Sequence, residues 1–263
     1  MNVFNELPNV LPAFLLVLVR LTCFFMTAPV FSYRTIPTQF KIGLAVAFSL
    51  IITMTLHPEH LQFTSDYALL VLKESIVGLA LGFVAGLLLN AVYIAGAFID
   101  MQMGLSVANL IDPNSGVQTP LTGQFLYIIM IVFLFTVDAH HMLLNGIFYS
   151  YQIIPIDKLS FSLFEGNSVH MVVMLFVKMF AVAFQMALPI VGSLFLVDVA
   201  VGIVARTVPQ LNVFVVGLPL KIGVGLLILF IIMPLYVTMF RDLFQWSAEA
   251  MSDLMTLMGR PMK

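Results

Sequence analysis

Apolar runs with few charges occupy roughly residues 10–31, 40–56, 67–99, 121–156, 169–205 and 211–244 of the 263-residue chain. About 20 apolar residues cross a bilayer as a helix, so run length alone predicts about six membrane elements. No long stretch alternates apolar and polar positions, and the runs exceed the roughly 9–11 residues of a barrel strand. In lipid every backbone polar group needs an internal partner, which leaves helices as the economical solution. The expected fold is an all-α membrane protein.

Two runs are too long for simple spans. Residues 67–99 and 169–205 would each reach about 50 Å as continuous helix, against about 30 Å of hydrocarbon. Such helices tilt steeply, project beyond the membrane or break into hairpins. Pro29, Pro37, Pro155, Pro189, Pro209, Pro219 and Pro234 stand where breaks are expected, since proline removes a backbone donor and crowds the preceding turn. Kinked helix is tolerated where protein or a water-filled cavity surrounds the freed backbone. Burial inside an assembly follows as the expectation.

The longest polar interruption covers residues 100–122. Within it, Asp112-Pro113-Asn114-Ser115-Gly116 is turn chemistry, because proline presets φ while Asn and Gly tolerate left-handed backbone. It reads either as a solvated connection or as a functional loop.

Composition sharpens the class. The chain is 61% hydrophobic and 9% charged, against roughly 25% charged residues in soluble domains. A water-soluble fold this apolar would expose large apolar patches. The net charge of −2 offers no basic face for nucleic acid and no polybasic cluster for anionic lipid. The single cysteine, Cys23, excludes an intrachain disulfide and a cysteine-cluster metal site. Residues 1–10 contain no Lys or Arg, so a cleavable signal peptide is not expected. Alternating six spans puts Arg34, Lys41, Arg206 and Lys221 on one side and Lys73, Lys158, Arg241, Arg260 and Lys263 on the other, four against five, which leaves orientation open.

Gly78, Gly82 and Gly86 recur every fourth residue and would form a smooth helical groove for close packing, within the chain or against a partner. The alternative is glycine of no consequence in a membrane helix. The 17 Met and 24 Phe are pliable or bulky apolar filler, some of which can line a deformable seal. Asp138, His140 and His141 read as a polar helix terminus or an interface; Asp138 and His141 could share a helix face, but neighbouring histidines are expected to point apart, and no spacing identifies the distant donor that three protein ligands would require. Asp198 and Lys178 are ionisable groups in apolar segments, expected to face a bundle interior or cavity; pairing with a neighbouring subunit is favoured over a proton relay or substrate site, and pairing with each other stays open. The segments beginning at Pro37 and Pro219 both place Lys-Ile-Gly before an apolar stretch, a short likeness. No nucleophile elbow, phosphate loop, HExxH or paired-carboxylate pattern is present. A non-enzymatic chain without metal or cofactor is expected.

Four ordered blocks carry a family resemblance. Gln102-Met103-Gly104-Leu105-Ser106, followed by Asp112-Pro113 and Pro120, resembles the central signature of the FliR family of flagellar export-gate proteins. Ala28-Pro29-Val30-Phe31 with Arg34-Thr35-Ile36-Pro37 and Lys41-Ile42-Gly43-Leu44 is similar to its N-terminal block, and Ala187-Leu188-Pro189 to a later one. Arg206-Thr207-Val208-Pro209-Gln210-Leu211-Asn212-Val213-Phe214 with Gly217-Leu218-Pro219 is similar to the C-terminal block.

The resemblance implies a multi-pass subunit of the bacterial inner membrane and flagellar basal body. It would assemble with FliP and FliQ homologues, helical hairpins stacking into a closed hetero-oligomeric export gate, alongside FlhA- and FlhB-type components. Unfolded export substrates would thread that gate. It further implies a FliP-like part over 1–187 and a FliQ-like hairpin with a C-terminal tail over 188–263. By position in the family, a plug would lie at about 110–122, with Asp112, Pro113, Asn114, Ser115, Gly116, Val117 and Gln118 at its heart and Met101 and Met103 as the candidates to face the gate. A virulence type III export subunit is the alternative, and an unrelated transporter or channel subunit a further one.

Overall fold

The computed structural model describes residues 3–32, 36–56, 61, 63, 66–106, 120–159, 166–208, 210 and 212–259. Among the described residues the regular structure is helical: α1 (Val3–Thr27), α2 (Thr38–Leu56), α3 (Tyr67–Leu89), α4 (Ala91–Met103), α5 (Leu121–Thr136), α6 (Ala139–Ile153), α7 (Gly166–Thr207) and α8 (Val213–Met258). Among the described residues, five stretches are long and apolar enough to cross a membrane, and a sixth is gained if α5 and α6 count as one broken span. The run-length expectation therefore holds in number. The three longest cover 37, 40 and 44 residues, well beyond the about 20 needed.

The prolines act differently from expectation. Pro29, Pro37 and Pro155 lie between helices, whereas Pro189 is inside α7 and Pro219 and Pro234 are inside α8. An apolar surround holds the intrahelical bonds on either side of a proline, because a freed carbonyl has no water to turn to. Pro209 lies outside the described residues. The likeness between the Pro37 and Pro219 segments stops at sequence, since the first proline precedes α2 and the second lies within α8.

The chain divides into two compact units, each assembled from separated stretches. One comprises Met1–Leu88, Asp138–Phe176 and Gln245–Lys263; the other comprises Leu89–Val137 and Val177–Phe244. The boundary implied by the family, between 187 and 188, falls inside the continuous α7.

In the first unit, α1 buries Ala13, Leu16, Val17, Leu21 and Phe24 along one stripe, the three-and-four spacing of a helix face. On α3 the stripe is Leu70, Val77, Leu81, Val84 and Leu88. The glycines of α3 set the approach. A Cβ at Gly78 would clash with the Arg20 carbonyl and lie 2.9 Å from Cys23 Cβ, and one at Gly82 would strike Thr27 and lie 2.7 Å from the Phe24 carbonyl. Gly86 is looser, with Pro29 and the Thr27 carbonyl at 3.5 Å. The groove is thus filled by α1 and the turn after it. Tyr67 donates to the Pro12 carbonyl at 2.9 Å, and Ser247 donates to the Ala85 carbonyl at 2.5 Å.

The second unit is organised on the α4–α5 pair and the long helices α7 and α8. Gly96 and Gly123 bring α4 and α5 so close that a side chain at Gly96 would strike the backbone of Gly123. Tyr93 and Tyr127 stack across the same pair with centroids 4.4 Å apart. The buried Tyr236 hydroxyl on α8 donates to the Met186 carbonyl on α7 at 2.8 Å. An apolar 18-residue stretch of Ser168–Thr207 is 17% buried within the chain, as is one of Val215–Met258, against 67% for the corresponding stretch of Tyr67–Met103. Large apolar side chains such as Phe180, Phe195, Leu227 and Phe230 are exposed, so lipid or other protein must cover them.

Candidate functional site

The C-terminus of α4 is built by glycine. Gly104 takes φ +83°; its N–H donates to the Met101 carbonyl at 3.3 Å, and the N–H of Leu105 donates to the Asp100 carbonyl at 3.0 Å. This is the Schellman arrangement, in which a left-handed residue closes the last turn. The chain that follows, 107–119, lies outside the described residues, and with it Asp112, Pro113, Asn114, Ser115, Gly116, Val117 and Gln118. Both roots of that segment, however, are described.

The C-terminal root is tied back to α4 by a carboxylate. Asp100 is 4% exposed and accepts from the Thr122 N–H at 3.2 Å and from the Thr122 hydroxyl. Pro120 precedes α5 and supplies no side-chain cap. Asp100 does that work from the neighbouring helix, satisfying an otherwise orphan donor in the first turn and placing negative charge at the positive end of the α5 dipole.

The N-terminal root is tied to α7 and α8. Gln102 donates through Nε2 to Asp198 Oδ2 at 2.9 Å, and Asp198 Oδ1 pairs with Lys221 Nζ at 2.5 Å. One carboxylate on α7 thereby serves a donor from α4 and a cation from α8. The residues of α8 that meet this root are Leu218, Lys221 and Gly225, a three-then-four spacing along one face. A Cβ on Gly104 would lie 2.7 Å from Leu218 Cδ1, and one on Gly225 would strike the end of the Met103 side chain. Met103 is fully buried, whereas Met101 is 66% exposed. Of the two methionines, Met101 is the one that faces outside the chain.

The pairing of Asp198 with Lys178, left open by the sequence, is not formed: its partner within the chain is Lys221, which the alternating charge count had placed in a connection, while Lys178 is half-buried on α7. The reason is geometric: Lys178 and Asp198 share one helix, 20 positions apart and about 30 Å along its axis.

A second polar cluster, in the first unit, escaped the sequence reading. Arg20 on α1 forks onto Glu74 on α3, through Nε at 2.5 Å and Nη2 at 3.0 Å, with both side chains fully buried. Arg20 also donates to Ser150 Oγ at 2.9 Å and to the Ile154 carbonyl at 2.8 Å, and its guanidinium lies 4.1 Å from the Tyr151 ring centroid. Lys73 pairs with Glu74 at 2.9 Å and donates to the carbonyls of Pro155 at 2.6 Å and Lys158 at 2.8 Å. Lys73 is therefore no connection charge, being 1% exposed. The signal was present in the sequence: Arg20 falls on the buried stripe of α1, and Lys73 and Glu74 on that of α3, so opposite charges sit at core positions of two apolar helices.

Asp138, His140 and His141 form the first turn of α6. Asp138 has φ +56° and caps the helix without a side-chain hydrogen bond. The imidazoles do not diverge as expected; their centroids are 4.2 Å apart, because a first helical turn has no preceding turn to steer its side chains. One donor atom from each of the three residues lies within 4.8 Å of the others. Asp138 and His141 are exposed, and all three donors come from one turn, so the group reads as the polar start of α6.

A family model described as bacterial export proteins, family 1, matches residues 11–246. The chain is 46% identical over 256 residues to the flagellar biosynthetic protein FliR of Bacillus subtilis (strain 168), covering 97% of this chain and 99% of that protein. It is 29% identical over 242 residues to the protein of the same name from Escherichia coli (strain K12), covering 90% and 92% respectively. It is also 33% identical over 163 residues to the Yop proteins translocation protein T of Yersinia pestis, covering 62% of each chain.

Proposed function

The chain belongs to the bacterial export proteins of family 1, the family of the FliR-type proteins it resembles, and from that membership we propose that it is a core subunit of the flagellar type III export gate. In this reading it sits in the bacterial inner membrane at the flagellar basal body and forms, with FliP and FliQ homologues, the channel that passes unfolded flagellar proteins. Its part is structural and not catalytic: binding, sealing and yielding to a polypeptide, with transport energy drawn from other components. FlhA- and FlhB-type proteins are its further partners, and membrane lipid covers the remaining apolar surface. Residues 1–187 act as the FliP-like part and 188–263 as the FliQ-like hairpin and tail.

The observation that carries this reading is 46% identity across 97% of the chain to a flagellar FliR. The Yop translocation relative matches less of the chain, 62%, which favours the flagellar over the virulence reading. The long, thinly buried α7 and α8 support a subunit completed by neighbours.

The segment 110–122 is the plug of the closed gate, centred on 112–118. Its support is the turn chemistry of Asp112-Pro113-Asn114-Ser115-Gly116, together with two roots fixed by Asp100 and Asp198. A turn-rich segment between fixed roots can swing aside without unfolding a helix.

Deleting the gene should abolish filaments and swimming; intact swimming with lost effector secretion would transfer the assignment to virulence export, and a small-solute uptake defect to a transporter. Co-purification with FliP and FliQ homologues, followed by intact-complex mass, tests the assembly. Shortening 112–118 should raise ion leakage through the resting gate, and unchanged conductance would remove the plug.

A further inference from the structure

We infer that the outward side of the α7–α8 hairpin meets the hydrocarbon of the bilayer along a single belt, residues 179–197 of α7 and 222–240 of α8, and that the Asp198–Lys221 pair marks the membrane boundary at one end of it. The inference rests on the membrane location in the proposed function and deepens it, by naming which part of two over-long helices has lipid as its partner.

The belt is bounded by charge on both helices. Between Lys178 and Asp198 on α7, and between Lys221 and Arg241 on α8, no Asp, Glu, Lys or Arg occurs. Each interval spans 20 positions, about 30 Å along a helix, which is the thickness of the hydrocarbon core. The two helices run antiparallel in a register that brings these limits level. Asp198 Oδ1 meets Lys221 Nζ at 2.5 Å, and inside the belt the Tyr236 hydroxyl donates to the Met186 carbonyl at 2.8 Å. Setting 198 beside 221 in antiparallel helices puts 178 beside 241. The two charge-free intervals therefore start and stop together.

Exposure fixes where the belt lies along the hairpin. The Asp198 and Lys221 side chains are 39% and 22% exposed, and Arg241 and Asp242 are exposed as well. Charges open to their surroundings are expensive at hydrocarbon depth, so both levels fall at the interface or beyond it. Between them the exposed side chains are large and apolar, among them Leu188 and Phe195 on α7 and Leu227 and Phe230 on α8. Hydroxyls in the belt donate to helix carbonyls, Ser193 to Pro189 and Thr238 to Leu235, each at 2.7 Å, as a medium without water requires. Gln185, exposed in the same zone, carries no charge. Past the pair, α7 runs nine residues to Thr207, and α8 begins eight residues before Lys221. That length, about 12–14 Å, carries Arg206 and stands in the headgroup layer and beyond.

The test uses single-cysteine chains on a Cys23→Ser background, purified with their partners and returned to vesicles of phosphatidylethanolamine and phosphatidylglycerol. A nitroxide on the thiol is read for collision with molecular oxygen, which concentrates in hydrocarbon, and with a water-soluble nickel chelate. Gly192→Cys and Phe230→Cys put the label in the belt; Gly202→Cys and Val215→Cys put it past the pair. Gly192 and Gly202 have open space where a Cβ would stand, and Phe230 and Val215 are exposed, so the label fits at all four. The belt labels should favour oxygen over nickel several-fold, and the outer labels should not. Belt labels shielded from both reagents mean that protein covers them, and nickel-accessible ones mean water; either result overturns the inference, as do outer labels that read like the belt. A second measurement serves where the labelled chains fail to assemble. Phe230→Lys should cut the membrane-integrated amount several-fold while Val215→Lys stays near the parent level, and equal amounts overturn the belt. Loss of the FliP and FliQ homologues from the purified material would remove the gate reading, whereas the belt stands or falls on the oxygen and nickel readings.

Discussion

Arg20 and Glu74, separated by 54 positions in sequence, meet in a two-point ion pair with neither side chain exposed. Lys73 adds a second cation to the same carboxylate, and the remaining donors end on Ser150 and the carbonyls of Ile154, Pro155 and Lys158. A buried charge is tolerated when paired and hydrogen-bonded. Through this cluster α1, α3 and the end of α6 become one body.

Glu74→Gln should therefore destabilise strongly. It leaves two buried cations facing a neutral amide, and breaking a buried pair by removing one partner costs about 3–5 kcal/mol. Thermal unfolding of the detergent-purified protein should show a large drop. Arg20→Lys should keep only part of the parent's stability, because an ammonium cannot fork onto a carboxylate; parent-like melting of either variant would contradict the role given to the pair.

The glycines of α3 should respond unequally to a methyl group. At Gly82 a Cβ meets Thr27 and the Phe24 carbonyl, whereas at Gly86 the neighbours stand at 3.5 Å. Gly82→Ala should lose about 1–3 kcal/mol through overpacking. Gly86→Ala should be neutral or gain up to about 1 kcal/mol from higher helix propensity. Equal melting temperatures for the two variants would show that α1 does not fix this approach.

Asp100→Ala should loosen the start of α5. It removes the acceptor of the Thr122 N–H and hydroxyl, and losing a cap costs about 0.5–2 kcal/mol. Hydrogen exchange should accelerate in the first turn of α5 and leave the middle of α7 unchanged.

Tyr236→Phe isolates a single buried hydrogen bond, that to the Met186 carbonyl. The ring stays and the bond goes, for a loss of about 1 kcal/mol. A shift as large as that of Glu74→Gln would mean that the phenol does more than join α7 to α8.

The sequence was informative where the signal is local. The glycine spacing of four marked a face that the structure fills with α1. It was misleading where partnership depends on distance in space. Lys73 and Lys221 looked like charges in connections because positive-charge counting treats every cation as a flank; both are partnered within the chain. Proline signals also misled, as Pro189, Pro219 and Pro234 stay inside continuous helices.

Apolar run lengths and the scarcity of charge determined that this chain is a set of long membrane helices, and its ordered motifs determined the family. Those properties belong to the solvent a segment requires and to short spacing, and both are written along the chain. Which carboxylate answers which cation was decided by the tertiary structure alone. An ion pair is selected by the few ångströms between side chains that different helices bring together, and no spacing within one helix records that proximity.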